Sequence, residues 1–404
     1  MASVKVPSMM PRRTFLSSAL AAAAAAPGHT SRAVEGPLRV AVIGHTGRGN
    51  YGHGIDTVWL HLPETKIVAV SDPDEKGRTD ALKRLQTTEG FADYRPMLQK
   101  VRPDLVAVCP RHVDQHRDMV LAAVAAGAKG IYIEKPLCRT LEEADEIVTA
   151  CAKAKTKLAV AHRNRYHPVM PVVAQMVADG AIGRFLEMRA RGKEDSRGGS
   201  LDLWVLGSHL MNLMHFFGGT PLACSATVLQ NGRPVTKADL KEGDEGVGPL
   251  AGNEVHTRFE MQQGPPGFFD SIQGAGNASA GFGLQLIGTE GIIDVRTDKE
   301  PAAQWLAGSP FRPSPEPRAW VPITSGGPDK PEPLTDIRTL VAAHVLPGRD
   351  LLAAIRDDRP ALCSAEDGRM TLEMIMAVFE SHRLGGARVT LPLQNRLNPM
   401  GLLS

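Results

Sequence analysis

Short apolar runs alternate with amphipathic stretches over residues 37 to 161. The runs have the length and the β-branched content of buried strands, and they cover residues 40–43, 66–71, 105–109, 130–133 and 157–161. Stretches with helical spacing of apolar side chains lie between them at residues 74–88, 113–126 and 141–154. Strands and helices that alternate in this way predict a doubly wound parallel sheet. Ligands of such sheets bind outside the carboxyl ends of the strands.

The pattern changes near residue 183, where longer runs alternate apolar with polar positions, as in a sheet with one solvated face. These runs cover residues 184–191, 223–230, 253–261, 282–288 and 291–296. Helices are predicted at 168–179, at 206–217 and from the capping box at Ser364 to Arg383. Stretches rich in glycine and proline at 231–252, 262–267 and 308–333 are typical of loops.

We therefore predict an α/β chain of two domains. Residues 37–162 are expected to form a Rossmann domain with a doubly wound parallel sheet. Residues 163–390 are expected to form an α+β domain with a mostly antiparallel open sheet, which carries substrate and oligomer contacts and ends in helices.

The first residues have the order of an export signal. Arg12 and Arg13 precede Phe15 and a small, weakly apolar run at 17–26. This order is typical of a twin-arginine signal, which predicts that residues 1–33 are removed and that the mature protein is periplasmic. A disordered alanine-rich leader is the alternative.

Composition excludes several classes of partner. The net charge is +2 and charged residues make up 22% of the 404, without a basic stripe, so no nucleic acid is expected. No segment after the first 30 residues is long and apolar enough to span a bilayer in the mature protein. The 5 cysteines are scattered and lack metal-ligand spacing, so we predict buried thiols and no metal.

The first predicted strand ends in a glycine-rich turn. Gly44, Gly47 and Gly49 follow the apolar run, a pattern typical of a tight turn that opens a helix and places backbone N–H groups against a pyrophosphate. Asp72 ends the second strand, where a carboxylate binds the ribose hydroxyls of NAD and repels the extra phosphate of NADP. The turn therefore predicts NAD in preference to NADP; an ordinary turn without a ligand is the alternative.

Short motifs follow one another in a specific order. They are GxxGxG, Asp72, Cys109-Pro110 with His116, Glu134-Lys135-Pro136, Arg165-Tyr166-His167-Pro168, Gly180-Ala181-Ile182-Gly183, Gly207-Ser208-His209 and Gly288-Thr289-Glu290-Gly291. This order resembles the glucose–fructose oxidoreductase/inositol dehydrogenase/MocA family over nearly the whole chain after the signal, and the details resemble a secreted subgroup. The resemblance implies a Rossmann domain, an antiparallel-sheet domain that carries substrate, a nicotinamide cofactor and a sugar or polyol as substrate.

Two residues are candidates for catalysis. Lys135 lies at a predicted strand end, where its ammonium could hold a substrate oxygen as it becomes an alkoxide. His209 lies at the edge of an apolar helix stripe, where its imidazole could take the hydroxyl proton. The alternatives are a surface lysine before a proline turn and a core-edge histidine.

The remaining site predictions fall into two groups. The cofactor group is Gly44, Thr46, Gly47, Gly49, Asp72, Pro110, His116 and Glu134, and the substrate group is Arg165, Tyr166 and Asp202. His45, Arg48, Tyr51 and His53 also crowd the glycine turn without an assigned role.

The chain departs from the family pattern beside His209. The family usually has an aspartate four residues before this histidine and often another three residues after it; here Val205 and Asn212 occupy those positions. Asp202 is the nearest acid, and we expect it either to substitute for the missing carboxylate or to bind a sugar hydroxyl.

Three functions are compatible with the sequence. The first is an NAD-dependent oxidoreductase for a sugar or polyol hydroxyl that retains its cofactor, because free NAD is scarce outside the cytoplasm. The second is a redox-neutral enzyme that cleaves glycosides, or a carbohydrate lyase, through transient oxidation by NAD. The third is a binding protein that holds a nucleotide without turnover. A homo-oligomer, dimer or tetramer, is expected in each case.

Overall fold

The computed structural model describes residues 36–276, 282–312, 314 and 316–404. The predicted export signal at 1–33 lies outside the described residues. Within the described part of the chain, no helix is long and apolar enough to cross a membrane.

The first half of the fold is a parallel sheet of six strands in the order β3-β2-β1-β4-β5-β6. Its strands are β1 Leu38–Ile43, β2 Thr65–Ser71, β3 Gly90–Phe91, β4 Leu105–Val108, β5 Gly130–Ile133 and β6 Lys157–Val160. The helices around it are α1 Glu75–Arg84, α2 Tyr94–Val101, α3 His116–Ala125 and α4 Leu141–Ala154. The central strands are wholly buried because helices cover both faces, and the predicted doubly wound sheet is confirmed.

The second half is an eleven-stranded sheet in the order β18-β17-β16-β15-β14-β7-β13-β12-β8-β19, with β9 paired to β8. Its longer strands are β7 Phe185–Arg191, β8 Pro221–Gln230, β12 Glu254–Met261, β13 Gly267–Ile272, β14 Phe282–Gly288, β15 Gly291–Thr297, β16 Ala303–Ala307 and β17 Val321–Thr324. The short strands are β9 Arg233–Pro234, β10 Lys241–Glu242, β11 Pro249–Leu250, β18 Gly327–Pro328 and β19 Val389–Thr390, of which β10 and β11 pair with each other. The described pairings are antiparallel except that of β13 with β7, so the expected mostly antiparallel sheet is confirmed.

The helices of the second half lie before, within and after this sheet. They are α5 Val169–Ala178, α6 Ser200–Asp202, α7 Ser208–Gly218, α8 Ile337–Ala342, α9 Val345–Arg356 and α10 Ala365–Arg383, with a π-helical turn at Leu203–Gly207. Short 3₁₀ turns occupy Val58–His61, Val113–Gln115, Arg163–Tyr166, Lys237–Asp239, Asp244–Gly246 and Pro399–Leu402. The predicted capping box opens α10, since Ser364 and Asp367 cap each other's backbone N–H groups.

Helix α9 does not pack where the domain prediction places it. Val345, Leu351 and Ala354 lie in the same apolar core as Val40 of β1 and Tyr132 of β5. The parallel sheet therefore takes one covering helix from far along the chain. The boundaries at 162 and 390 stay predictions.

One local prediction is wrong and one strand was not predicted. No α-helix follows the glycine turn of β1 directly, because Gly49, Asn50, Gly52 and Gly54 all adopt positive φ angles that a right-handed helix cannot contain. The predicted loop at 262–267 is present up to residue 266, but the strand after it, β13, is an interior strand of the second sheet that was not predicted from the sequence. Its alternation of buried and half-buried residues is short and follows a glycine–proline turn, which hides it in the sequence.

Candidate active site

Lys135 stands at the carboxyl end of β5, directly before a cis peptide bond to Pro136. Its side chain is 6% exposed, and its Nζ donates a hydrogen bond of 2.7 Å to the backbone carbonyl of Val205. Burial, the largest effect, lowers the pKa of Lys135, although Glu134 opposes this shift. An ammonium has three donors, so the bond to Val205 leaves two for a ligand.

His209 is the second residue of α7, directly after the π-helical turn. The residue is 8% exposed, and its Nδ1 has no hydrogen-bond partner among the residues that the structure describes. Its ring meets that of His162 edge-on, with centroids 5.4 Å apart. Burial foremost, and then the charge of Lys135, hold the pKa of His209 well below its usual value. The imidazole is therefore neutral and can accept a proton.

Lys135 and His209 meet in one pocket, as the sequence predicts, with a volume of about 180 Å³. The pocket lies between the carboxyl ends of the parallel strands and the start of α7. Its polar wall also includes His53, Arg163, Lys193, Arg197, Asp298 and His344. Cationic groups outnumber the acidic ones, and Arg163 binds Asp298 at 2.6 Å.

His344 and Arg163 are two pocket residues that the sequence did not reveal. His344 precedes α9 with φ +59°, and its Nδ1 lies 2.6 Å from the hydroxyl of Tyr132 on β5. No sequence motif near His344 indicates a site residue, because its partner Tyr132 in the parallel sheet lies more than 200 residues earlier in the chain. Arg163 carried a usable signal, since it is among the first polar residues after β6.

The predicted substrate residues lie outside the pocket lining. The guanidinium of Arg165 stacks on Phe216 at 3.5 Å from the ring centroid, and the Tyr166 hydroxyl accepts a bond from the Cys363 backbone N–H. Both residues belong to the 3₁₀ turn Arg163–Tyr166, which directs their side chains into the core, so they pack behind the pocket and do not line it.

Asp202 also fails to reach the pocket, which corrects both roles expected for it. The carboxyl group is fully buried; its Oδ2 accepts bonds from the Ser271 hydroxyl at 2.6 Å and the Glu194 N–H at 2.9 Å. Ser271 in turn accepts a bond from the Gly199 N–H. Asp202 therefore fixes the loop that carries Lys193 and Arg197 into the pocket, and burial raises its pKa.

His116 ties two loops of the parallel sheet together. Its side chain is fully buried, with Nε2 at 2.7 Å from the carbonyl of Pro110 and Nδ1 at 3.0 Å from that of Pro136. Both ring nitrogens are used within the protein. Pro110 and His116 thus set the path of the loops after β4 and β5 and offer no polar side-chain atom to a cofactor.

Asp72 and Thr46 bind each other at the end of β2. The Thr46 N–H lies 3.1 Å from both carboxylate oxygens, its hydroxyl donates at 2.7 Å, and the Asp74 N–H donates at 3.0 Å. The Asp72 side chain is fully buried. A ribose can therefore reach this carboxylate only when Thr46 moves away.

The glycine turn itself is packed against protein. A Cβ at Gly44 would overlap the ring of Tyr51, and one at Gly49 would overlap the backbone of Arg111 after β4. Gly47 faces open space, and its N–H bonds to Asn50. No α-helix begins directly after the turn, so the predicted arrangement, in which the turn opens a helix toward a pyrophosphate, is not the one observed. A helix start does lie against the turn, because a Cβ at Gly77 in the first turn of α1 would overlap the Thr46 hydroxyl.

Replacing Thr46 by valine should tighten NAD binding roughly tenfold. The variant removes the hydroxyl that competes for Asp72, and a hydrogen bond to a charged group contributes about 1.5–3 kcal/mol. Calorimetry on nucleotide-stripped protein measures the change. Thr57→Val is the matched control, because its hydroxyl only donates to the Gly54 carbonyl in the same segment. Equal affinities in both variants would contradict the closed arrangement.

Comparisons with known proteins agree with this description. Residues 38–162 match the model of an oxidoreductase family with an NAD-binding Rossmann fold. Levoglucosan dehydrogenase of Pseudarthrobacter phenanthrenivorans is 26% identical over 259 residues, which are 57% of this chain and 65% of that protein. The NAD⁺-dependent scyllo-inositol 2-dehydrogenase of Bacillus subtilis is 29% identical over 153 residues, 37% of this chain and 43% of that protein. The chain thus spans less than two thirds of these relatives' lengths.

Solved structures extend the likeness to the whole fold. A levoglucosan dehydrogenase in complex with NADH and levoglucosan superposes with a TM-score of 0.68 at 19% identity, over 88% of this chain and 99% of that one. An NAD-binding oxidoreductase from Klebsiella pneumoniae gives 0.67 at 21% identity, over 89% and 100%.

The parallel sheet over residues 38–162 is a Rossmann fold of the NAD-binding oxidoreductase type, and the pocket lies at its carboxyl edge. The match of residues 38–162 to this oxidoreductase family supports the resemblance to the glucose–fructose oxidoreductase/inositol dehydrogenase/MocA family that the motifs indicate. NAD as the cofactor is confirmed by this match, whereas the residues that hold it stay predictions.

Proposed function

We propose that this protein is an NAD-dependent oxidoreductase that acts on a hydroxyl group of a sugar or polyol. The convergence of Lys135 and His209 in one pocket carries the proposal. The names of the relatives support the substrate class, since levoglucosan is a sugar derivative and scyllo-inositol is a polyol.

His209 and Lys135 have different roles at the substrate oxygen. His209 is neutral and buried, so it can take the hydroxyl proton. Lys135, fixed by the Val205 carbonyl, donates to the same oxygen and stabilises its negative charge. Bound NAD supplies the acceptor for the hydride. The backbone carbonyl of Val205 thus fixes the position of the Lys135 ammonium.

A screen of sugars, polyols and glycosides against the purified protein tests the proposal. An oxidised sugar with matching NADH supports it. A cleaved glycoside without net NADH supports the redox-neutral alternative. If the screen yields neither product, the result favours the third function, a binding protein that holds a nucleotide without turnover.

We further propose twin-arginine export with the cofactor retained, and a homo-oligomer. On this proposal the protein, once denatured, releases NAD into solution, because a periplasmic enzyme has little free NAD to exchange. Mass spectrometry of the released small molecules checks the expected result. If the denatured protein releases no NAD and the enzyme needs added NAD for each turnover, the cofactor is not retained. The proposed oxidoreductase activity would not be contradicted by that result. Asp72 leads us to expect NAD rather than NADP in the released material.

A further inference from the structure

In the pocket, the imidazole that pairs with a carboxylate is that of His53, which contacts Glu134, and not that of His209. Glu134 is fully buried at the end of β5, and its Oε1 lies 2.6 Å from the Nδ1 of His53 and 3.0 Å from the His53 N–H. Its other oxygen accepts the Lys135 N–H at 2.9 Å. Burial would raise the pKa of Glu134, but His53 and Lys135 lower it to about 2, so the carboxylate is charged.

His209 lacks any comparable support. The position that could have supplied a carboxylate holds Val205, and Asp202 is turned into the loop network. The charges that act on His209 come from Lys135, His162, Arg163 and His53, all of which disfavour its protonated form. A proton that His209 takes from a substrate must therefore leave it quickly.

The other imidazoles of the region are poor recipients. Burial lowers the pKa of His162 to about 3 and that of His344 to about 4. His53 differs in two respects, since a buried carboxylate holds its ring and 47% of its side chain is exposed. It therefore joins the pocket to solvent.

We propose that His53, oriented by Glu134, is the proton-transfer residue that carries the substrate's hydroxyl proton from the pocket to solvent. The O–H bond of the substrate breaks as an N–H bond forms on His209. That proton then passes to the ring of His53, directly or through water in the cavity, and leaves to bulk water. Only a proton moves in this sequence, so it needs no oxidant. The proposal rests on the proposed function, and Glu134 acts as a positioning residue.

The test compares variants of the full chain under turnover with the substrate from the screen. His53→Ala should lower kcat roughly 10²-fold, the lower end of positioned proton transfer, with little change in KM. Added imidazole should restore part of the turnover, since it can enter the space of the missing ring. His53→Gln keeps a donor for Glu134 and should bind NAD and melt as the parent does, yet be slow and resist rescue.

The matched control is His256→Ala. His256 is also paired with carboxylates, at 2.6 Å from Asp270 and 2.7 Å from Glu254, but it lies on β12 outside the pocket lining. Its loss should leave kcat and the response to imidazole unchanged.

Each outcome decides between the two proposals. Full turnover in His53→Ala, or a loss of kcat that added imidazole does not restore, overturns the proton-transfer role of His53. Neither result contradicts the proposed oxidoreductase activity. A parent protein without turnover on any sugar overturns both.

Discussion

His209→Ala should lower turnover by roughly 10²–10⁴-fold, the usual contribution of a positioned acid–base group. Lys135→Met should give a loss of the same order, because it removes the charge opposite the developing alkoxide but keeps the buried stem. Steady-state kinetics with the substrate from the screen measure both effects. Nucleotide affinity, measured by calorimetry, should persist in His209→Ala.

A second buried histidine provides the control. His382→Gln changes a histidine of α10 whose Nε2 lies 3.0 Å from the Val235 carbonyl, away from the pocket. Turnover of this variant should match that of the parent. Full activity in His209→Ala would discard the proposed chemistry and favour a protein that binds without turnover.

Gly49→Ala should destabilise the protein far more than Gly47→Ala does. Both glycines have φ near +80°, at +85° and +82°, so both substitutions carry a backbone cost of about 1–2 kcal/mol. At Gly49 the added Cβ also overlaps the backbone of Arg111, whereas at Gly47 it meets nothing within 4 Å. Overpacking adds about 1–3 kcal/mol, which urea unfolding of both variants resolves.

The same pair of variants tests the docking of the glycine turn. An equal loss of stability at both positions would show that the turn does not rest on the loop after β4. Since Gly49→Ala should also free the turn, its NAD affinity provides a second measurement on the same material.

The fold was predictable where a local pattern decides the structure. The helix over Leu141–Ala154 has its predicted limits, because Thr140 caps its start and the next strand follows directly. The strands of the parallel sheet are buried on both faces, so their apolar runs stand out. Lys135 and His209 were predictable because each belongs to a short motif, Glu134-Lys135-Pro136 or Gly207-Ser208-His209, that the sequence shows directly.

The predictions failed where tertiary packing overrides a local pattern. Asp72 stands at the expected position, yet a threonine in the glycine turn takes its oxygens, a contact that spacing alone does not reveal. Asp202 was the nearest acid in sequence to His209, but one turn of helix directs it into the loop network. The sequence shows His53 only as one of several side chains near the glycine turn, because its proposed role depends on a contact with Glu134, 81 residues later.

Helix α9 has a consequence for the order in which the protein can assemble. The apolar face of the parallel sheet that Leu351 and Ala354 cover consists of strands that a ribosome finishes nearly two hundred residues earlier. Until then this face has no complete cover, and contacts between such distant segments slow folding. A nascent chain of this protein is therefore a natural client for chaperones, and a fragment that ends before residue 345 should aggregate rather than fold.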